Sequence, residues 1–206
     1  MQTFTVVKGS VAPMMDTNID TDVIMPKQFL KGIDRSNLDR GLFYDLRILS
    51  SGEPNPDFIL NKTGWKGSPF LVVGPNFGCG SSREHAVWGL QQSGIRALIG
   101  TTFAGIFGDN CQRNGVLLIR LPAEDIAEIE KAASSVETNL LTVDLIEQRI
   151  ILANGQVIRF NLDERNRDAL VKGLDAIGVT LEYKDDIVTF EQRYLAERPW
   201  LTTNPV

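Results

Sequence analysis

Between Phe70 and Ala133, short apolar runs alternate with stretches of helical character, and this alternation limits the fold more than any other feature of the chain. Phe70-Leu71-Val72-Val73 is a short apolar run of the kind that forms a buried strand. The glycine-rich segment Gly74–Gly80 follows, and a helix is predicted from about Ser82 to Gln92, closed by Gly94. Arg96–Ile99 reads as the next strand, Phe103–Gln112 as a helix and Val116–Leu121 as a further strand. Pro122 opens a helix over Ala123–Ala133, with Glu124 and Asp125 in the first turn, where the positive end of the helix dipole favours acids. Such strand–helix alternation builds parallel βαβ units.

The flanking regions are of a different kind. Phe4–Val7 and the neighbourhood of Val23–Met25 look β-like, and Asp16–Asp22 between them is rich in turn formers. Residues 31–68 mix charge, Gly and Pro and read as a long, partly exposed excursion, a kind of segment that often carries function. In the last third, Leu140–Leu145, Arg149–Ala153 and Gln156–Leu162 alternate as strands do, and Asn154-Gly155 between the latter two is a strong hairpin signal. Helices are predicted at Asp163–Ile177 and Lys184–Glu197. With no repeat, low-complexity tract or polar linker, the expectation is one α/β domain over residues 1–206, with a parallel βαβ core and an added antiparallel portion.

Composition removes several function classes. The net charge of −5, without a basic stripe, argues against nucleic acid as a partner. The start, MQTFTVVKGS, lacks a basic region followed by an apolar core, and no apolar run is long enough to span a bilayer. A cytosolic protein without membrane contact is expected. The two cysteines, Cys79 and Cys111, read as free thiols. A cubane iron–sulfur cluster takes three or four cysteine thiolates, so the chain is expected to hold none alone; a single histidine, His85, also leaves no evident zinc set.

The chemistry concentrates in Gly74-Pro75-Asn76-Phe77-Gly78-Cys79-Gly80-Ser81-Ser82-Arg83-Glu84-His85, after a strand and into a helix. Gly78 and Gly80 allow positive φ and close approach of a ligand to the backbone. Ser81 and Glu84 have capping-box spacing, which would leave free amides and the positive dipole end facing an anion. Arg83 adds a planar fork for a carboxylate, in a position where a cation opposes the helix dipole. Simple helix capping accounts for the glycines and Ser81, but not for Arg83.

Residues 76–85 of this motif also resemble the signature of the aconitase swivelling domain, as found in small subunits of isopropylmalate isomerases. The likeness runs through most of the chain. Asn18–Lys31, Leu42–Arg47, Asn55–Phe58, Phe103–Phe107, Asn110 and Asn114-Gly115 resemble further blocks in order. The resemblance implies a swivelling β/β/α domain that closes the cleft of a large subunit, which holds a 4Fe-4S cluster, with no metal in this chain. It implies a stereospecific dehydratase–hydratase acting on 2- and 3-isopropylmalate, small dicarboxylates, in leucine biosynthesis. Ser81 would remove a carbon-bound proton, Ser82 and Arg83 would bind carboxylates, and Asp22 and Lys31 would match an acidic and a substrate-contacting basic residue.

Substrate choice is expected in a loop at about residues 28–39, mobile in the isolated chain, where Phe29, Leu30 and Ile33 could line an apolar pocket beside Arg35. Here the chain departs from the bacterial pattern Arg-Thr-Gly-Phe-Gly, reading Arg35-Ser36-Asn37-Leu38-Asp39. The alternative substrates are therefore methyl- or dimethylmalates, since one methylene is worth only about 1–3 kcal/mol. A non-catalytic anion-binding or regulatory scaffold subunit is the alternative from another class. A serine hydrolase pairing Ser81 with His85 fails, because both stand on one short turn. Cys79 reads as a small filler of the turn, Cys111 and His85 as packed side chains, and Asp20 with Asp22 as turn formers that could otherwise pair on a metal.

Overall fold

The computed structural model describes residues 1–31 and 35–202. Seven strands form one sheet: β1 (Val6–Met14), β2 (Phe70–Val73), β3 (Ala97–Gly100), β4 (Leu117–Arg120), β5 (Leu140–Asp144), β6 (Arg149–Leu152) and β7 (Val157–Arg159), in the order β4-β3-β2-β1-β5-β6-β7. β1 is the axis of this arrangement. Its first half, Val6–Ser10, pairs antiparallel with β5, and its second half, Val11–Met14, pairs parallel with β2. On one side β2, β3 and β4 continue in parallel; on the other β5, β6 and β7 continue antiparallel.

Helices cover both faces of the parallel half. α3 (Glu84–Gln92) joins β2 to β3, α4 (Gly105–Asn114) joins β3 to β4, and α5 (Ala123–Ala133) leads from β4 towards β5. Strand alternation sorts the core accordingly. Phe70, Val72, Ala97, Ile99, Leu117 and Ile119 pack with Ile126, Ile129 and Ala133 of α5. Leu71, Val73 and Leu98 point the other way, against Val87 and Leu90 of α3 and Phe107 and Cys111 of α4. Every residue of β2 and β3 is buried, which is why these strands read as unbroken apolar runs.

Several sequence expectations need correction. The first strand begins at Val6 and runs to Met14, well beyond Val7. Val23–Met25 is no strand. α1 (Thr21–Ile24) forms there because the Asp20 carboxylate caps it, accepting from the amides of Asp22 at 2.9 Å and Val23 at 2.8 Å. The excursion at 31–68 contains α2 (Tyr44–Arg47) and buries Leu38, Leu42, Phe43 and Phe58 in the core. The helix expected over Asp163–Ile177 is two, α6 (Glu164–Lys172) and α7 (Ala176–Leu181), split by Gly173 in the left-handed cap conformation. α8 (Lys184–Glu197) lies as expected, and Ala153-Asn154-Gly155 makes the expected hairpin, with Gly155 at φ +85°. Among the described residues, no helix is long and apolar enough to cross a membrane.

Candidate active site

The segments that leave the carboxyl ends of β1, β2 and β3 are stitched together, and the motif lies between them. Gly78 N–H donates to Ile19 O at 2.8 Å and Thr21 N–H to Cys79 O at 2.9 Å, tying the segment after β1 to the motif. Ala104 N–H donates to Phe77 O at 3.0 Å, and Asn76 N–H to Thr102 Oγ1 at 2.8 Å, tying the motif to the segment after β3. Crevices at the carboxyl ends of parallel strands are the usual place for ligands in open α/β sheets.

Two glycines shape the turn. Gly78 has φ +78°, and a Cβ there would stand 2.2 Å from the Phe107 ring. Gly80 has φ +90°, and a Cβ there would press on Asp20 Cβ at 3.3 Å, so backbone conformation selects glycine and a milder crowding adds to it. Between these glycines and α3, Thr21 clasps the chain. Its buried hydroxyl donates to Ser81 O at 2.9 Å and accepts from Ser81 N–H at 3.1 Å. This leaves the exposed Ser81 Oγ with no hydrogen-bond partner among the described residues. The amides of Gly80 and Ser82 are likewise without a protein acceptor among them. The result is a cluster of free donors and hydroxyls on a rigid turn.

The expected capping box is not formed. α3 starts at Glu84, Arg83 is its cap residue with no side-chain cap bond, and Ser81 is held out of the helix by Thr21. Glu84 faces elsewhere, accepting from Asn114 Nδ2 at 2.8 Å. Nor is Arg83 an unpaired cation. Its guanidinium makes an ion pair with Asp22, on α1. The Arg83 side chain is 14% exposed and that of Asp22 43%, so the guanidinium is fixed from behind while the carboxylate borders solvent. The hydrogen bond from Arg83 holds the Asp22 carboxyl below the ordinary carboxylate value.

Ser81, Ser82, Arg83 and Asp22 thus converge on one surface. Lys31 is exposed after the turn Lys27–Leu30 and makes no ion pair among the described residues. Phe29 and Leu30 are half-buried against the core, with the Phe29 ring 5.0 Å from Tyr44. Ile33 lies outside the described residues. Arg35 is drawn to α3, its guanidinium 4.1 Å from the Trp88 ring, and its carbonyl accepts from Gln92 Nε2. Gln92 Oε1 also accepts from Leu38 N–H at 2.8 Å, so one side chain holds both ends of this stretch.

The remaining candidates fall to packing. His85 lies 4.7 Å from the Trp88 ring, and Trp88 Nε1 donates to Asn114 Oδ1 at 3.0 Å. Cys79 fills the turn, its thiol donating to Asn18 O at 3.4 Å, and Cys111 is fully buried, which pushes its thiol well above the ordinary range. Asp20 is a helix cap. No group of three or more His, Cys, Asp or Glu among the described residues could hold a metal ion. Sequence reasoning passed over Thr21, Gln92 and the role of Asn114. Thr21 sat within a recognised block but offered no signal beyond turn propensity, and its partner is 60 residues away.

Residues 1–124 match the family model described as aconitase C-terminal domain, and residues 177–204 match that for the C-terminal domain of the 3-isopropylmalate dehydratase small subunit. The chain is 60% identical, over 98% of its length and 99% of the relative's, to 3-isopropylmalate dehydratase small subunit 1 of Mannheimia succiniciproducens. It is 47% identical to the 3-isopropylmalate dehydratase small subunit of Brucella suis, over 97% of this chain and the whole of that one. A solved structure of 3-isopropylmalate dehydratase from Methanocaldococcus jannaschii shares the fold with a TM-score of 0.63 at 24% identity, covering 91% of this chain and 99% of that one. Sequence, motif and fold agree: the chain belongs to the 3-isopropylmalate dehydratase small subunits of the aconitase superfamily.

Proposed function

We propose that this chain supplies one wall of the active site of a 3-isopropylmalate dehydratase, a hydro-lyase that interconverts 2- and 3-isopropylmalate in leucine biosynthesis. A large subunit supplies the other wall. The observation that carries the reading is the exposed Ser81 hydroxyl on a turn pinned by Thr21, beside the Arg83–Asp22 pair. Residues 1–206 act as one swivelling domain, and the loop at 28–39 faces the substrate's alkyl group. The donor set of this chain does not fit an iron–sulfur cluster: Cys111 is buried in the core and Cys79 has no companion ligands among the described residues. The family's 4Fe-4S cluster accordingly belongs to the large subunit.

The chain's own part of the reaction is proton transfer and carboxylate binding. Ser81 Oγ takes the carbon-bound proton as hydroxide leaves the neighbouring carbon, giving an unsaturated diacid; water then adds with the two positions exchanged. A serine oxygen accepts that proton only where positive charge and free donors favour its anion. The Arg83 guanidinium and the free amides of Gly80 and Ser82 supply both. Arg83 and Ser82 hold a substrate carboxylate, Asp22 keeps the guanidinium oriented, and Lys31 approaches a second carboxylate. Burial of the site against the large subunit strengthens each of these interactions.

The test is reconstitution with the cluster-loaded large subunit encoded in the same genome, followed by absorbance of the unsaturated intermediate. Activity is expected only with both chains, strongest on isopropylmalate, and reduced at least ~10³-fold in Ser81→Ala. The altered stretch Arg35–Asp39 supports a second reading, a dehydratase of methyl- or dimethylmalate. Preference for those substrates would establish it. Full activity in Ser81→Ala would remove the serine from the chemistry.

A further inference from the structure

Among the described residues, no apolar side chain of α8 joins either hydrophobic core. Every residue from Lys184 to Glu197 is exposed, yet the helix is amphipathic. Ile187, Phe190 and Tyr194 follow the i, i+3, i+7 spacing of one face, and Val188 and Leu195 widen it. Phe190 and Tyr194 stack on each other at 5.5 Å. Glu191 stands within this band, with no ion pair among the described residues, while Asp185, Thr189, Arg193 and Ala196 occupy the opposite face. In α7, Ile177 is 70% exposed and Leu181 59%, one turn apart. Helices of this length are marginal in water without tertiary packing. A contiguous exposed band of this composition marks an interaction surface.

The position of the segment in the family says what covers it. The match to the aconitase C-terminal domain ends at residue 124, whereas α8 and all of α7 but its first residue fall within 177–204, the segment matched by a model specific to small subunits. A domain carried at the end of a longer chain is kept near its partner by the covalent link. A separate subunit has no such tether and must gain the equivalent association from added surface. A second copy of this chain fits the band poorly, because a two-fold contact centred on it would oppose Glu191 to its own copy.

Resting on the reading of this chain as a small subunit, we propose that α7 and α8 are its docking element for the large subunit. The band of Ile187, Val188, Phe190, Tyr194 and Leu195 seats in an apolar groove of that subunit, with a basic side chain of the groove meeting Glu191. The experiment uses the full chain and its co-expressed large subunit, with association measured by sedimentation. Phe190→Glu, Tyr194→Lys and Glu191→Lys are each expected to weaken the complex about thirtyfold or more. Ala196→Glu, on the opposite face, should leave it intact. Circular dichroism and melting of the isolated variants, unchanged from the parent, exclude a folding defect. Wild-type association in all three band variants would overturn the proposal. So would variants that abolish only self-association of this chain. Turnover by the parent complex separates the two readings: complex formation without isopropylmalate turnover would sink the assigned reaction and leave the docking element standing.

Discussion

Arg83 and Asp22 stand 61 positions apart in the chain, so nothing in the local sequence announces their pairing. Reading Arg83 as a cation in want of an anion identified the need and missed the resident partner. The pairing can be titrated. A carboxyl whose folded pKa is depressed stabilises the fold above its unfolded value and loses that contribution as pH falls through the folded one. Asp22 is therefore expected to titrate below 3.8, moving back towards it in Arg83→Gln, as followed by carboxyl carbon resonances. Across the neutral range the pair stays intact. The thiols give a second expectation. Buried Cys111 should resist a thiol reagent until the protein unfolds, and the half-buried Cys79 should react first, giving one accessible thiol per native chain. Equal rates at both positions would contradict the burial.

The elements were legible wherever a single local cause decides them. β2 and β3 are short buried strands bounded by turns, and α5 begins at Pro122 with acids in its first turn, so all three could be read directly. Val23–Met25 misled because three apolar residues fit a strand as well as a helix, and the Asp20 cap tips the balance. The capping box failed for a tertiary reason: Thr21 takes Ser81 and Asn114 takes Glu84, neither adjacent in sequence. The motif turn itself invites a graded test. Gly78→Ala meets both the Phe107 ring and an unfavourable φ, and should destabilise by about 3 kcal/mol. Gly80→Ala meets the conformational cost and a lesser contact with Asp20 Cβ, about 1–2 kcal/mol, in parallel denaturant titrations. In the antiparallel half, buried Asp144 accepts from Arg149 at 3.2 Å and from Glu147 N–H at 3.1 Å across the β5–β6 turn. Asp144→Ala should cost about 1–2 kcal/mol in melting or denaturant experiments.

Across the whole molecule, order is unevenly distributed. Amides of β2 and β3, buried and covered by helices on both faces, should exchange with solvent only on global unfolding. Those of α8 should exchange orders of magnitude faster in the isolated chain, which hydrogen-exchange mass spectrometry will resolve peptide by peptide. The chain's two halves also differ in when they can form, because β1 serves both. Its second half pairs with Phe70–Val73, but Val6 pairs with Asp144, 138 positions later in the sequence. On a ribosome adding about 5–20 residues per second, the amino-terminal edge of β1 waits on the order of ten seconds for that partner. During this interval Val6–Ser10 is an open strand edge on a nascent chain, and the parallel half can already be assembling beside it. Synthesis from the amino terminus therefore imposes a sequence of assembly in which β5 arrives after the parallel half and seals the edge.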